Sequence, residues 1–244
     1  MNTQMKILFG FILSMSLAAC GGGSNSIDDT NSATSSGANS STDNNTSNPD
    51  DGMSAGSGGC VTFSRPSVGQ IVKRELKQVG EDIGISKETE IMEISPTSIT
   101  QKILPNGVLL GSTVVENFTI NNNFRDITSE STKISSFTFN TTYSPFQRVM
   151  IDEVCEGQTW TTVYTEIKEG EPAISHSKTY IIEAINVSKT TAAGTFNTFR
   201  VKIEDIDVVG TAWFDIASGY DVLSEFTDLS GNMGFTLELT EKNF

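Results

Sequence analysis

Few residues of this chain could do acid–base or nucleophilic chemistry. It holds one histidine, His176, flanked by Ser175 and Ser177. A lone histidine in a Ser/Thr-rich segment is expected at the surface and without a task. Ser175-His176-Ser177-Lys178 has the spacing of a serine–lysine nucleophile pair. That pair needs a helix to bring both side chains to one face; on a strand, positions three apart point to opposite faces. Gly52-Met53-Ser54-Ala55-Gly56 matches the G-x-S-x-G elbow of hydrolases. The elbow works only between a strand and a helix, and neither pattern flanks it here. Glu204, Asp205 and Asp207 form the densest acidic cluster beside apolar residues. They could hold a divalent cation, but no calcium-loop spacing accompanies them, and a solvated strand edge is the expected reading. The chain is therefore read as non-enzymatic, with no catalytic residue, no metal site and no cofactor.

Three cysteines remain, Cys20, Cys60 and Cys155, and the first stands in an informative place. One charge, Lys6, is followed by an apolar run from Ile7 to Leu17. The run is shorter than the ~20 residues of a spanning helix. A charged start, a short apolar stretch and small residues before a cut site make a signal peptide. Leu17-Ala18-Ala19-Cys20 resembles the bacterial lipobox. The resemblance implies diacylglycerol on the Cys20 thiol, cleavage before Cys20, and acylation of the new amine with a chain such as palmitate. Two or more acyl chains make anchoring stable where one does not. The alternative is an ordinary leader that happens to carry a cysteine. Gly21 rather than Asp follows the cysteine, which by the lipoprotein sorting rule implies the outer membrane, in either leaflet. An exported domain with two remaining thiols suggests a Cys60–Cys155 disulfide; two free thiols, or a buried Cys155, are the alternatives.

These readings divide the chain into a signal peptide (1–19), a lipidated tether (20–59) and one folded domain (60–244). The tether is Gly, Ser, Asn, Thr and Asp, with Ile27 and Met53 its large apolar exceptions. It cannot bury enough surface to offset chain entropy and is expected to be disordered, with a reach of roughly 35 Å. O-linked glycans on its Ser and Thr are a further option. The formal charge is −14, and about −15 once Lys6 leaves with the leader. That excludes a nucleic-acid binder, which needs a basic face.

The domain reads as all-β. Phe199, Val201 and Ile203 alternate with Arg200, Lys202 and Glu204, and Met233, Phe235, Leu237 and Leu239 alternate with polar residues. Val114, Phe118 and Ile120 share a face with Glu116. This is the period of half-buried strands. The phase changes after Glu204, so a bulge or a strand end is expected near Asp205. Leu104-Pro105-Asn106-Gly107, Ser144-Pro145, Glu169-Gly170-Glu171-Pro172, Ala193-Gly194 and Ser230-Gly231-Asn232 read as turns. The expectation is an antiparallel meander of ten or eleven strands, curled into a half-barrel or a barrel. Thr89-Glu90-Ile91-Met92-Glu93 echoes Thr179-Tyr180-Ile181-Ile182-Glu183, and Gly69-Gln70 echoes Gly157-Gln158. Both a duplication of about 90 residues and chance matching among Thr/Ile-rich strands account for this.

Gly157-Gln158-Thr159-Trp160, Ala193-Gly194-Thr195-Phe196, Arg200-Val201, Trp213-Phe214 and Gly219-Tyr220-Asp221-Val222-Leu223, taken in this order, resemble uncharacterised bacterial envelope proteins similar to LolA/LolB-like half-barrels. The likeness covers roughly residues 155–225, and Asp221 stands where such proteins usually have Gly. It implies a curved sheet with a hollow for acyl chains, although fold alone does not transfer that activity. The reading is an outer-membrane-anchored lipoprotein that binds an apolar ligand or an envelope protein, or alternatively a structural or surface-display lipoprotein with no ligand. Val163, Ile182, Phe199, Val201, Trp213, Phe235 and Leu237 are apolar candidates for core or groove; alternation does not say which face is concave.

Overall fold

The structure is a computed structural model that describes residues 58–78, 84–105, 111–230 and 234–244. The leader, Cys20, the tether, the Gly52–Gly56 pattern, Asn106-Gly107 and Gly231-Asn232 lie outside the described residues.

The described chain is built from strands: β1 (Cys60–Thr62), β2 (Ile71–Gln78), β3 (Gly84–Ile94), β4 (Ser98–Pro105), β5 (Ser112–Asn121), β6 (Phe124–Ile134), β7 (Phe137–Met150), β8 (Glu153–Cys155), β9 (Thr159–Lys168), β10 (Ile174–Thr191), β11 (Gly194–Glu204), β12 (Val208–Asp215), β13 (Asp221–Asp228) and β14 (Gly234–Lys242). Twelve of them form one closed antiparallel barrel, in the order β10-β11-β12-β13-β14-β2-β3-β4-β5-β6-β7-β9. The ring closes where β9 pairs β10, with Trp160 opposite Tyr180. The barrel is thus complete rather than half-open, and the strands outnumber the ten or eleven expected. β1 and β8 make a separate two-stranded ribbon.

Alternation sets which side chains point inward. On β2, Val72, Arg74 and Leu76 are buried, while Lys73, Glu75 and Lys77 lie on the outer wall. On β11, Phe199, Val201 and Ile203 face in, and Arg200, Lys202 and Glu204 face out. A barrel that spans a membrane needs an outward apolar band. On β2 and β11 the outward positions carry charges instead. The phase change at Asp205 is the end of β11. Ser144-Pro145 is not a turn: it is a cis peptide inside β7. There Ile127 pairs with Gln147 and Ser129 with Thr142, so residues 143–146 bulge out opposite Thr128. Proline cannot donate to the ladder, which suits it to such a bulge.

The barrel consists of two runs of six strands, β2–β7 and β9–β14, that begin alike. Gly69 and Gly157 both take positive φ, 84° and 82°. Gly69 N–H donates to Ile91 O and Gly157 N–H to Ile182 O; Ile91 and Ile182 return the bond to Gln70 O and Gln158 O. The Gln70 and Gln158 side-chain oxygens accept from the Ser67 and Cys155 N–H groups. This equivalence is one residue away from the sequence echo, which aligned Ile91 with Ile181. On strands that single step exchanges the two faces. In the structural register both isoleucines are buried. The ribbon joins the two runs, with Cys60 opposite Cys155, and these cysteines form a disulfide.

Eight-stranded barrels are filled by side chains, and wider ones leave a lumen unless something occupies it. Two apolar clusters, one around Val72, Phe118 and Tyr164 and one around Trp160, Phe199 and Phe226, take much of this lumen. Charged groups take more of it. Arg74 Nη2 donates to Asp221 Oδ1, and Arg125 Nε lies 3.1 Å from Glu116 Oε1 with both side chains fully buried.

Candidate functional site

A partly open space lies inside the barrel. Phe199, Val201 and Ile203 (β11), Ala212 and Phe214 (β12), Ser224 and Phe226 (β13), and Trp160 and Tyr180 (β9, β10) form most of its wall. Gln147, Lys178 and Asp221 add polar groups, and Phe63 lies on its wall too. The strands build it by period two: positions 199, 201 and 203 share the inner face with positions 160 and 180, Ile203 lying beside Tyr180 and Tyr180 beside Trp160. Gly210 matters here, because a Cβ at that position would collide with the Phe226 ring and the Glu225 carbonyl. Trp160 stacks on Tyr180 with ring centroids 4.7 Å apart, and Phe199 lies 4.9 Å from Phe63 and 5.2 Å from Phe214.

The cavity offers about 70 Å³ of room for water-sized spheres. An engineered apolar cavity of about 150 Å³ holds benzene, so this space as it stands is too small for a whole acyl chain. Phe63 also borders a groove of about 1130 Å³ outside the barrel end, lined by Val68, Ile94, Pro96 and Ile120 among others. It belongs to a strap that crosses this end from β1 toward β2. The Phe63 N–H donates to Asp152 O and the Ser64 N–H to Ile216 O. Arg65 pairs with Asp152 through both carboxylate oxygens. Gly219, at φ 72°, lies where a Cβ would strike Ser64 O, so the strap and the turn before β13 need glycine there.

Two polar atoms of the wall are unusual. Trp160 Nε1 and Gln147 Oε1 are buried and have no hydrogen-bond partner among the described residues. Buried polar groups are normally satisfied. Lys178 approaches Asp205 at 3.9 Å and sits 5.5 Å over the Tyr164 ring. Burial pushes its ammonium below the usual lysine range, against the pull of Asp205 and Glu166. Asp221 is engaged by Arg74, and burial pushes its carboxyl up.

His176 is half-buried rather than loose at the surface. Its Nδ1 is 3.1 Å from Asp205 Oδ2 and its Nε2 is 3.0 Å from Glu166 Oε2. It stacks on Tyr164 at 4.8 Å. Burial pushes the imidazole down, but the two carboxylates outweigh it and raise its pKa. As an imidazolium it donates from both nitrogens and keeps no lone pair for a general base. Ser175 is exposed while Lys178 is buried, which separates the two as strand geometry requires. Asp205 is not a solvated edge, because His176 and Lys178 bury it. Glu204 stays outside and pairs with Lys202 at 2.7 Å. No group of His, Cys, Asp and Glu among the described residues is arranged to hold a metal.

Of the apolar candidates, Phe199 and Val201 line the cavity. Ile182, Phe235 and Leu237 belong to the interior, and Val163 is exposed on the outer wall. Trp213 is covered by Lys189, whose Nζ is 3.8 Å from the ring centroid. Gln147 escaped notice, and Lys178 enters the sequence reading only as half of the serine–lysine spacing. Lys178 shares the parity of Tyr180 and Ile182, which is the signal that would have placed it inside. Gln147 follows the bulge of β7, and alternation cannot be counted through a bulge.

No family model matches the chain, and no curated protein matches it. Two solved structures share its outline. One is a candidate lipoprotein from Parabacteroides distasonis ATCC 8503, 13% identical, with a TM-score of 0.43, covering 75% of this chain and 99% of its own. The other is a candidate exported protein with a YmcC-like fold from Bacteroides fragilis NCTC 9343, 11% identical, with a TM-score of 0.45, covering 76% and 100%. Likenesses of this strength fix neither ligand nor location.

Proposed function

We propose that the chain is a non-enzymatic lipoprotein of the bacterial outer membrane, cut before Cys20, anchored there by acyl chains, and carrying an apolar ligand inside its barrel. The cavity carries the ligand half of this reading: an apolar space persists where closely packed interiors keep few voids, and it is walled by seven aromatic or β-branched side chains of β9 to β13 and by Phe63. The lipobox and the tether composition support the anchored half. A structural lipoprotein without ligand is the second reading, favoured by the ion pairs and aromatics that fill the rest of the lumen.

Trp160 and Trp213 are the two tryptophans of the chain, which supplies a test. A leaderless chain (residues 20–244, Cys20→Ser) carrying Trp213→Phe leaves Trp160 as the sole reporter. Added 1-decanol should shift its emission saturably, and native mass spectrometry should show a one-to-one adduct. An unchanged emission together with no adduct, up to the solubility limit, replaces the ligand reading with the structural one.

A further inference from the structure

We infer that the cavity takes a neutral carbonyl compound, a ketone or ester on an aliphatic chain, whose oxygen accepts the Trp160 indole N–H. This rests on the ligand reading above and names the class of ligand. Trp160 lines the cavity, is 4% exposed, and its Nε1 has no hydrogen-bond partner among the described residues. The ring is not free to turn toward one. It stacks on Tyr180 with the planes 6° apart and meets the Phe124 ring edge-on at 5.9 Å. An indole N–H only donates, so the group that satisfies it must accept. Leaving such a donor unmet in an apolar site is costly.

The charges of the wall decide that the acceptor is neutral. Lys178 faces Asp205, with Glu166 and Glu130 nearby. Asp221 is answered by Arg74 and lies near Lys87. Both signs are thus matched within the protein, and a charged head group would lose its hydration without gaining an opposite charge. Gln147 already bonds the Tyr180 hydroxyl, and the Ser224 hydroxyl can turn to donate or accept, so neither sets the polarity of the ligand. A carbonyl oxygen answers the indole and brings no proton that would need a further acceptor. Size sets how the ligand lies. About 70 Å³ accommodates the carbonyl and the first carbons. The rest of the chain leaves past Phe63, which borders both the cavity and the groove of about 1130 Å³.

The test uses the leaderless Trp213→Phe chain, labelled at nitrogen for NMR, in which Trp160 gives the sole indole N–H signal. It compares 2-heptanone with 2-methyl-1-heptene, which has the same shape with a methylene in place of the carbonyl oxygen. Native mass spectrometry should show a one-to-one adduct of each. The ketone should move the indole proton saturably downfield, because a hydrogen bond deshields it, and the alkene should not. Adding Trp160→Phe should weaken ketone binding about tenfold by calorimetry and leave alkene binding within about threefold. Binding of the alkene alone, an indole signal that ignores the bound ketone, or a Trp160→Phe variant that treats the two ligands alike would overturn the carbonyl assignment while leaving the cavity reading intact. No adduct of either would overturn both. The indole signal needs no change at Trp160, so it decides the question even if Trp160→Phe does not fold.

Discussion

At the scale of the residue, the barrel depends on charges that face inward. Glu116 and Arg125 are fully buried beside each other, and Arg125 also lies 5.3 Å over the Phe118 ring. Removing one member of such a pair strands the other in low dielectric, at a cost of about 3–5 kcal/mol, whereas replacing both by apolar groups is often neutral. Arg125→Met should therefore lower the stability measured by urea unfolding by about that amount, and Glu116→Leu with Arg125→Met should recover most of it. A double variant no more stable than the single one would show that the charges serve other partners. Glu130 makes a second, pH-dependent case. Burial, then the nearby Glu116, pushes its carboxyl up to about 8, against a hydrogen bond from Tyr143. Its folded pKa lies above the unfolded one, so its contribution is most favourable at acid pH. That contribution declines as pH rises from about 4.5 and levels off above about 8. His176, also raised, has the same sign: its contribution is full below about 6.5 and is lost as pH rises further. Glu166 opposes them at low pH. Burial pushes it up, but hydrogen bonds from His176 and Lys168 hold it at about 2, so its stabilisation is present above about 4.5 and lost as pH falls toward 2. The melting temperature should fall between pH 5 and pH 8, and Glu130→Gln should raise it by several degrees at pH 8 while leaving it nearly unchanged at pH 5. Parallel curves for the variant and the parent would remove Glu130 from this account.

At the scale of the element, the strap shows how covalent and non-covalent ties share one task. Cys60 and Cys155 join β1 to β8 across 95 residues of sequence, and Phe63 is the residue directly after β1. Closing a loop of that length is worth about 4.7 kcal/mol in the chain-entropy model, and loss of such a bridge typically costs about 2–5 kcal/mol. Cys60→Ser with Cys155→Ser should lower stability within that range, and mass spectrometry without reductant should find the two cysteine peptides joined in the parent. Free thiols on both under oxidising conditions would contradict the bridge. The elements themselves were largely legible in the sequence. Phe199, Val201 and Ile203 announce β11 because one wall of the barrel is wet, and Ala193-Gly194 marks the turn before it. Legibility fails where regular pairing fails. Ser144-Pro145 reads as a turn because proline ends most strands, yet residues 143–146 are carried as a bulge by the long β7. His176 reads as a surface residue because a lone histidine among Ser and Thr usually is; only the facing Tyr164 and Asp205, supplied by other parts of the chain, bury it. Closure itself is not a local property. It depends on β14 finding β2, with Leu237 opposite Leu76, and nothing in either strand names its distant partner.

At the scale of the whole molecule, the two runs of six strands explain why the cavity is off-centre. The same turn opens both runs, and the strands place Lys87 and Lys178 four residues before the equivalent Ile91 and Ile182. Lys87 lies near Arg74 and Glu130 of its own run and Asp221 of the other. Lys178 also faces acidic groups, Asp205 among them, but the space lies on its side, walled by Trp160, Tyr180 and Phe199. The strap lies at the end where Phe63 borders the cavity. Charge bears on the proposed acyl anchor. The tether carries no Lys or Arg and the chain is strongly acidic, so an anionic leaflet offers it no electrostatic attraction. The barrel wall presents charges on β2 and β11 and exposed apolar side chains such as Phe137, Phe139 and Val163 on β7 and β9. Two or more acyl chains at Cys20 would then supply the anchoring proposed above. Cys20→Ala, expressed with its leader in a diderm host, should lose palmitate labelling and move from the membrane pellet to the soluble fraction completely. Retention of the unlabelled variant in the pellet after a high-salt wash would mean that another part of the chain binds the membrane, and the anchor would have to be sought in the barrel or its loops.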